Sequence, residues 1–221
     1  MSEAKRRQIA KRAVGLDSED TSIVVSGSLA RDEFTEGSDT DWSLPIDGAA
    51  DPKHYDLLRK IGSVVDALAS KPPGPEGMFG KMVFSHGLIH EIGGEDDTNR
   101  NTTRRLLLLL ESRVVGRDVA YKSVVRGIST GICWKIAGSG GDPDTGFPGF
   151  CKNDFAQYWR TMTVDFAYKL RNRGGKSWAM RNIKLGMSRK LLYISGLRLG
   201  RYSRPYRLTE RQWRRSGLPA L

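Results

Sequence analysis

Residues 21–26 (TSIVVS) form a short apolar, β-branched run that Gly27-Ser28 brings to an end. β-Branched side chains fit the extended backbone, so the run reads as a buried strand. Residues 29–34 (LARDEF) can make a short helix, and residues 35–38 (TEGS) are turn material. Residues 39–46 (DTDWSLPI) then alternate enough to form a second strand. A chain that begins this way is committed to a sheet before it reaches any long helix.

The rest of the chain is mostly helical in pattern. Residues 3–14 read as a charged, partly amphipathic helix. Residues 52–69 carry apolar side chains at 57, 58, 61, 64, 65 and 68, the stripe of an amphipathic helix. Residues 72–77 (PPGPEG) are a loop, and 82–84 and 88–92 are further strands around a His86-Gly87 turn. Residues 101–112 (NTTRRLLLLLES) form a helix capped by Asn or Thr, and its Leu run, apolar on every face, belongs in the interior. The Gly/Pro-rich residues 138–149 mark a boundary. Beyond it, residues 153–170 align Phe155, Trp159, Met162, Phe166 and Leu170, Gly174-Gly175 breaks that helix, and 177–197 supply another. The pattern mixes strands and helices over residues 1–137, an α+β part, followed by a basic helical domain over 150–221.

Charge separates the two parts. The chain carries +11 overall, yet residues 160–221 hold 16 Lys and Arg against two acids, leaving the remainder slightly acidic. Such asymmetry attracts a polyanion, whether a nucleoside triphosphate, a nucleic acid or a phosphorylated partner. A solvated basic helix surface is the alternative. No stretch approaches the roughly 20 apolar residues of a membrane helix, and the N-terminal residues lack the apolar core of a secretory signal. Cys133 and Cys151 give neither a disulfide framework nor paired metal-ligand spacing, so the cytoplasm is the expected compartment.

Within this basic chain, Asp39 and Asp41 are spaced to point to one face of a strand. Two carboxylates so held suit Mg²⁺ or Mn²⁺, hard cations that take carboxylate oxygens together with substrate phosphates. A glycine at a strand-to-helix step admits close backbone approach, a helix N-terminus favours an anionic phosphate, and Ser28 could donate its hydroxyl to the same group. Strand, Gly-Ser, helix, turn and Asp-x-Asp would together hold a triphosphate against metal.

The stretch GSLARDEFTEGSDTDW resembles the nucleotidyltransferase superfamily that includes DNA polymerase beta. It looks most like the bacterial branch containing the N-terminal domain of PII-uridylyltransferase. In that branch an Arg follows the Gly-Ser and a Ser precedes Asp-x-Asp, as Arg31, Ser38, Asp39 and Asp41 do here. Residues 103–118 (TRRLLLLLESRVVGRD) also resemble a helix of that branch, and the likeness covers about residues 20–125. It implies a small mixed-sheet nucleotidyltransferase domain and transfer of a nucleoside monophosphate from an NTP, such as ATP, to an acceptor with release of pyrophosphate. Asp39 and Asp41 would be catalytic metal ligands. Gly27, Ser28, Arg31 and Ser38 would bind the nucleotide.

The superfamily often adds a third acid on a later strand, and Glu91 within LIHEI is the candidate, with Glu95, Asp96 and Asp97 close behind. Three histidines without a Cys partner make zinc improbable, and Glu111 and Arg113 suggest an internal ion pair. In the helical part, Asp154, Tyr158, Thr161, Asp165 and Tyr168 form a second face that could meet a base or ribose, or merely pack. Lys184 and Lys190 are phosphate candidates, and the alternative is a surface helix with Trp178, Ile183, Leu185 and Leu192 inside. The acceptor is open among protein, tRNA, small molecule and nucleotide. The basic C-terminal part is a surface for an oligomer or partner. A nucleotide sensor without turnover and a basic nucleic-acid-binding protein are the competing readings.

Overall fold

The computed structural model describes residues 1–69, 78–138, 149–172, 174 and 178–202. The fold is mixed α+β, built on a four-stranded sheet in the order β3-β2-β1-β4. β1 is Val24–Ser26, β2 Trp42–Ile46, β3 Lys81–Phe84 and β4 Ser112–Val114. β1 runs antiparallel to both β2 and β4, whereas β2 and β3 are parallel. The pairs Val24↔Ser43 and Val25↔Trp42 set the central register.

That register divides the sheet into two chemically different faces, because side chains alternate along a strand. Ile23, Val25, Trp42, Leu44 and Ile46 belong to one buried cluster with Ile9 of α1 (Ser2–Arg12) and Ile61 and Val65 of α2 (Lys53–Leu68). Each fully buried aliphatic side chain there contributes about 1.5–3 kcal/mol relative to exposure. The other face carries Val24 and the polar Ser26 and Ser43. The stripe expected in residues 52–69 is thus real, with Leu57, Leu58 and Leu68 packed at the cluster margin.

Two expected elements are different. Residues 88–92 are no strand: β3 leads straight into a short helix, α3 (Ser85–Ile89), and Glu91 follows it. Residues 29–32 continue the turn begun at Gly27 and residues 33–34 are irregular, in place of the expected helix. Arg31 N–H reaches the Gly27 carbonyl at 3.0 Å and Glu33 N–H the Ser28 carbonyl at 2.9 Å, but Asp32 at φ 63° stops propagation. Arg6 and Arg113 hold the Asp32 carboxylate there, at 2.7 and 3.3 Å.

The Leu-rich helix is α4 (Asn99–Leu110), two residues earlier than expected, capped by the Thr98 hydroxyl accepting from Asn101 N–H. Leu106, Leu107 and Leu108 are buried, as an all-apolar run requires. α5 (Val119–Gly138), which the sequence pattern did not announce, carries the chain out of the sheet-containing unit. The two compact units are Met1–Ser129 and Thr130–Ala220, so the division falls within α5. The loop expected at residues 72–77, most of the boundary at 138–149, and residues 203–221 lie outside the described residues.

The second unit is helical. α6 (Gly149–Asn172) buries Phe155 and Tyr158, and Gly174 follows at φ 55°. α7 (Trp178–Ile183), a π-helical turn (Lys184–Arg189) and α8 (Lys190–Tyr202) complete it. Trp178 and Ile183 are more than half exposed, against the alternative reading that places them inside. No helix among the described residues is long and apolar enough to cross a membrane.

Candidate active site

Gly27 and Asp41 meet at one end of the β1–β2 pair. Ser26 N–H donates to the Asp41 carbonyl at 2.9 Å, extending the ladder by one residue beyond Val25↔Trp42. Asp41 therefore shares the sheet face of Ser26 and Ser43. Gly27 turns the chain away at φ 65°, and a Cβ built on it would lie 3.1 Å from Asp41 Oδ2. The glycine answers two needs at once: a left-handed backbone and room beside a carboxylate.

Asp39 is placed differently from the expectation. β2 starts at Trp42, so Asp39 lies on the loop leading to the strand, exposed, while Asp41 is half-buried. The pair does not share one strand face. Of the two acids, Asp41 is the one that lies against the Gly27 turn. Ser38 closes that loop, its hydroxyl accepting from Thr35 N–H at 3.0 Å. Ser28 is half-buried at the turn itself. Because no helix follows Gly27-Ser28, a helix N-terminus adds nothing to phosphate binding here.

Arg31 is fixed by carboxylates. One guanidinium nitrogen donates to the fully buried Glu111 carboxylate, and Nε and Nη2 reach Glu33 Oε2 at 3.1 and 3.0 Å. Glu111 also accepts Gly27 N–H on its carbonyl at 3.2 Å. Glu111 thus ties the end of α4 to the glycine turn by backbone and side chain together. The ion pair suggested between Glu111 and Arg113 is replaced by two others, Glu111 with Arg31 and Arg113 with Asp32.

Glu91 accepts from Asn101 Nδ2 at 2.8 Å, and its Oε2 lies 3.2 Å from a Cβ built on Gly87. Among the described residues no three His, Cys, Asp or Glu side chains gather as a metal-binding group. The acids present fit Mg²⁺ in its sparing mode, one or two carboxylates with substrate phosphates completing the shell. Asp97 is spent elsewhere, bonded to buried Arg105 at 2.5 Å. Lys184 and Lys190 are exposed on the second unit.

A larger groove beside α1 and β4 is lined by Glu3, Arg6, Arg7, Asp32 and Arg113. Its charges are satisfied within it, Arg7 by Glu3 at 2.5 Å and Arg6 by Asp32. It offers a ligand little unpaired charge. No family model, curated protein or solved structure matches this chain.

Proposed function

We propose that this chain is a nucleotidyltransferase that moves a nucleoside monophosphate from an NTP to an acceptor. The observation that supports it most is the meeting of the Gly27 turn with Asp41, through the Ser26–Asp41 hydrogen bond and the 3.1 Å approach. A nucleotidyltransferase domain in residues 1–129 fits the mixed sheet of the first unit.

Asp39 and Asp41 would hold Mg²⁺, which when bound neutralises phosphate oxygens and lowers the barrier to displacement. Gly27, lacking a side chain, lets the triphosphate lie against the turn, and the Ser28 hydroxyl donates to a phosphate oxygen. Arg31 braces the turn from behind through Glu111. An acceptor oxygen or nitrogen forms its bond to the α-phosphorus while the bond from that phosphorus to the bridging oxygen breaks. Pyrophosphate leaves with the bonding electrons, and the acceptor gives its proton to solvent or a nearby base. No step is assigned to Glu91. No role in transfer is assigned to Lys184 and Lys190, which belong to the second unit.

Incubation of the full chain with each α-labelled NTP, Mg²⁺ and candidate acceptors tests the reading. Pyrophosphate release that disappears in the Asp39→Asn/Asp41→Asn double variant is the expected result.

A further inference from the structure

A row of exposed apolar side chains runs along α7, the π-helical turn and α8. Met180, Ile183, Met187 and Leu191 are each more than half exposed, and Ile194 is 39% exposed. The row steps by three or four residues, the spacing that makes helical side chains neighbours. Trp178, also more than half exposed, stands at its start. The opposite side of the same run is in use: Gly196 leaves no room for a Cβ against the Phe155 ring of α6, and the Tyr193 ring lies 5.3 Å from that of Trp159. The exposed row is therefore a second apolar face, additional to the one that packs. Apolar residues scattered singly over a surface need no explanation, but a contiguous row marks an interaction site.

Charge selects the partner. Between Asp165 and Glu210 the chain has 12 Lys and Arg and no Asp or Glu. Lys184 and Lys190 are exposed beside the row. An anionic lipid surface suits both properties, since it takes apolar side chains at the headgroup boundary while its negative potential attracts the cations. Nucleic acid matches the charge but leaves the aliphatic row unused, because it stacks its bases on aromatic side chains, and Trp178 is the only aromatic residue in the row. A partner that wraps a helix would need the side already packed on α6. A second copy of the chain would bring like charge against like charge.

We propose that the exposed face of residues 178–194 docks on an anionic lipid surface without crossing it. Met180, Ile183, Met187, Leu191 and Ile194 enter the headgroup boundary, and Lys184 and Lys190 contact the lipid anions. The inference rests on the second unit alone and stands whether or not the chain transfers nucleotides.

The test floats the full chain with vesicles of phosphatidylcholine, or of phosphatidylcholine and phosphatidylserine in equal amounts. The wild type should float with the anionic vesicles, far less with the neutral ones, and less as salt rises. Met187→Ser/Leu191→Ser keeps the charge, and loss of its apolar contact should weaken binding by roughly tenfold or more. Lys184→Gln/Lys190→Gln keeps the apolar row and should weaken binding about thirtyfold. All four positions except Leu191 and Met187 carry charge, and none of the four is buried, so both variants should melt close to the wild type. No flotation with anionic vesicles, equal flotation with neutral ones, or undiminished binding by Met187→Ser/Leu191→Ser overturns the proposal. Tight binding of single-stranded nucleic acid without vesicle binding overturns it in favour of a nucleic-acid surface. Self-association lost in Met187→Ser/Leu191→Ser, again without vesicle binding, overturns it in favour of a second copy.

Discussion

Asp41 Oδ2 lies 3.1 Å from the point that a Cβ on Gly27 would occupy, and Gly27 itself has φ 65°. Both facts oppose a side chain at position 27. Gly27→Ala should cost about 1–2 kcal/mol from the left-handed backbone alone, read by chemical denaturation. It should also displace Asp41, so Mg²⁺-dependent NTP turnover should fall further than the folded fraction does.

Arg31 and Glu111 should behave as one unit. The Glu111 carboxylate is fully buried, so removing it strands a cation that has only Glu33 in exchange. Glu111→Ala should destabilise the protein by about 3–5 kcal/mol, the range for breaking a buried pair from one side. The Arg31→Ala/Glu111→Ala double variant should cost clearly less than the two singles summed. Additive costs in denaturant titrations would show that the pair is not coupled.

Asp20 titrates low, chiefly because the Ser18 hydroxyl donates to its carboxylate and secondarily because His54 does, with burial opposing both. His54 Nδ1 accepts from Asp51 N–H at 3.2 Å, leaving Nε2–H for Asp20 at 3.1 Å. A depressed carboxyl pKa gives stability that is complete above the unfolded value. That stability is lost as pH falls through the folded one. Ser18→Ala should raise the Asp20 pKa toward the ordinary aspartate value, followed by carboxyl-carbon NMR. It should also lower stability at neutral pH while shrinking the part of that stability lost on acidification below the unfolded aspartate pKa.

Thr98 caps the helix that ends in Glu111, accepting Asn101 N–H at 3.2 Å. Thr98→Ala should cost about 1 kcal/mol, measured as a shift of denaturation midpoint at constant m-value.

Much of the sheet was legible because its signals are local. TSIVVS and DTDWSLPI are apolar enough to be buried wherever they lie, and Gly27 needs its glycine for reasons visible in the turn. The Leu run of α4 is interior for the same cause. What local pattern could not show is set by partners distant in sequence. Residues 29–34 have helix-forming composition, yet Arg6 and Arg113 stabilise Asp32 at a positive φ that ends any helix. Residues 85–92 are too short for period to distinguish strand from helix, and the chain turns into α3. Arg104 and Arg105 are indistinguishable in sequence. Only the packing of α4 on the sheet separates the one bonded to Asp97 from the one left facing a cleft.

The most direct measurement is Mg²⁺-dependent pyrophosphate release from NTP by the wild type and by Asp39→Asn/Asp41→Asn. Asp39 is exposed, and Asp41 joins the ladder through its backbone carbonyl, so the double variant should fold and melt close to the wild type. The account predicts NTP binding and pyrophosphate release by the wild type, with release abolished in the variant. Undiminished release by the folded variant, or NTP binding by the wild type without release across protein, tRNA, small-molecule and nucleotide acceptors, would contradict it.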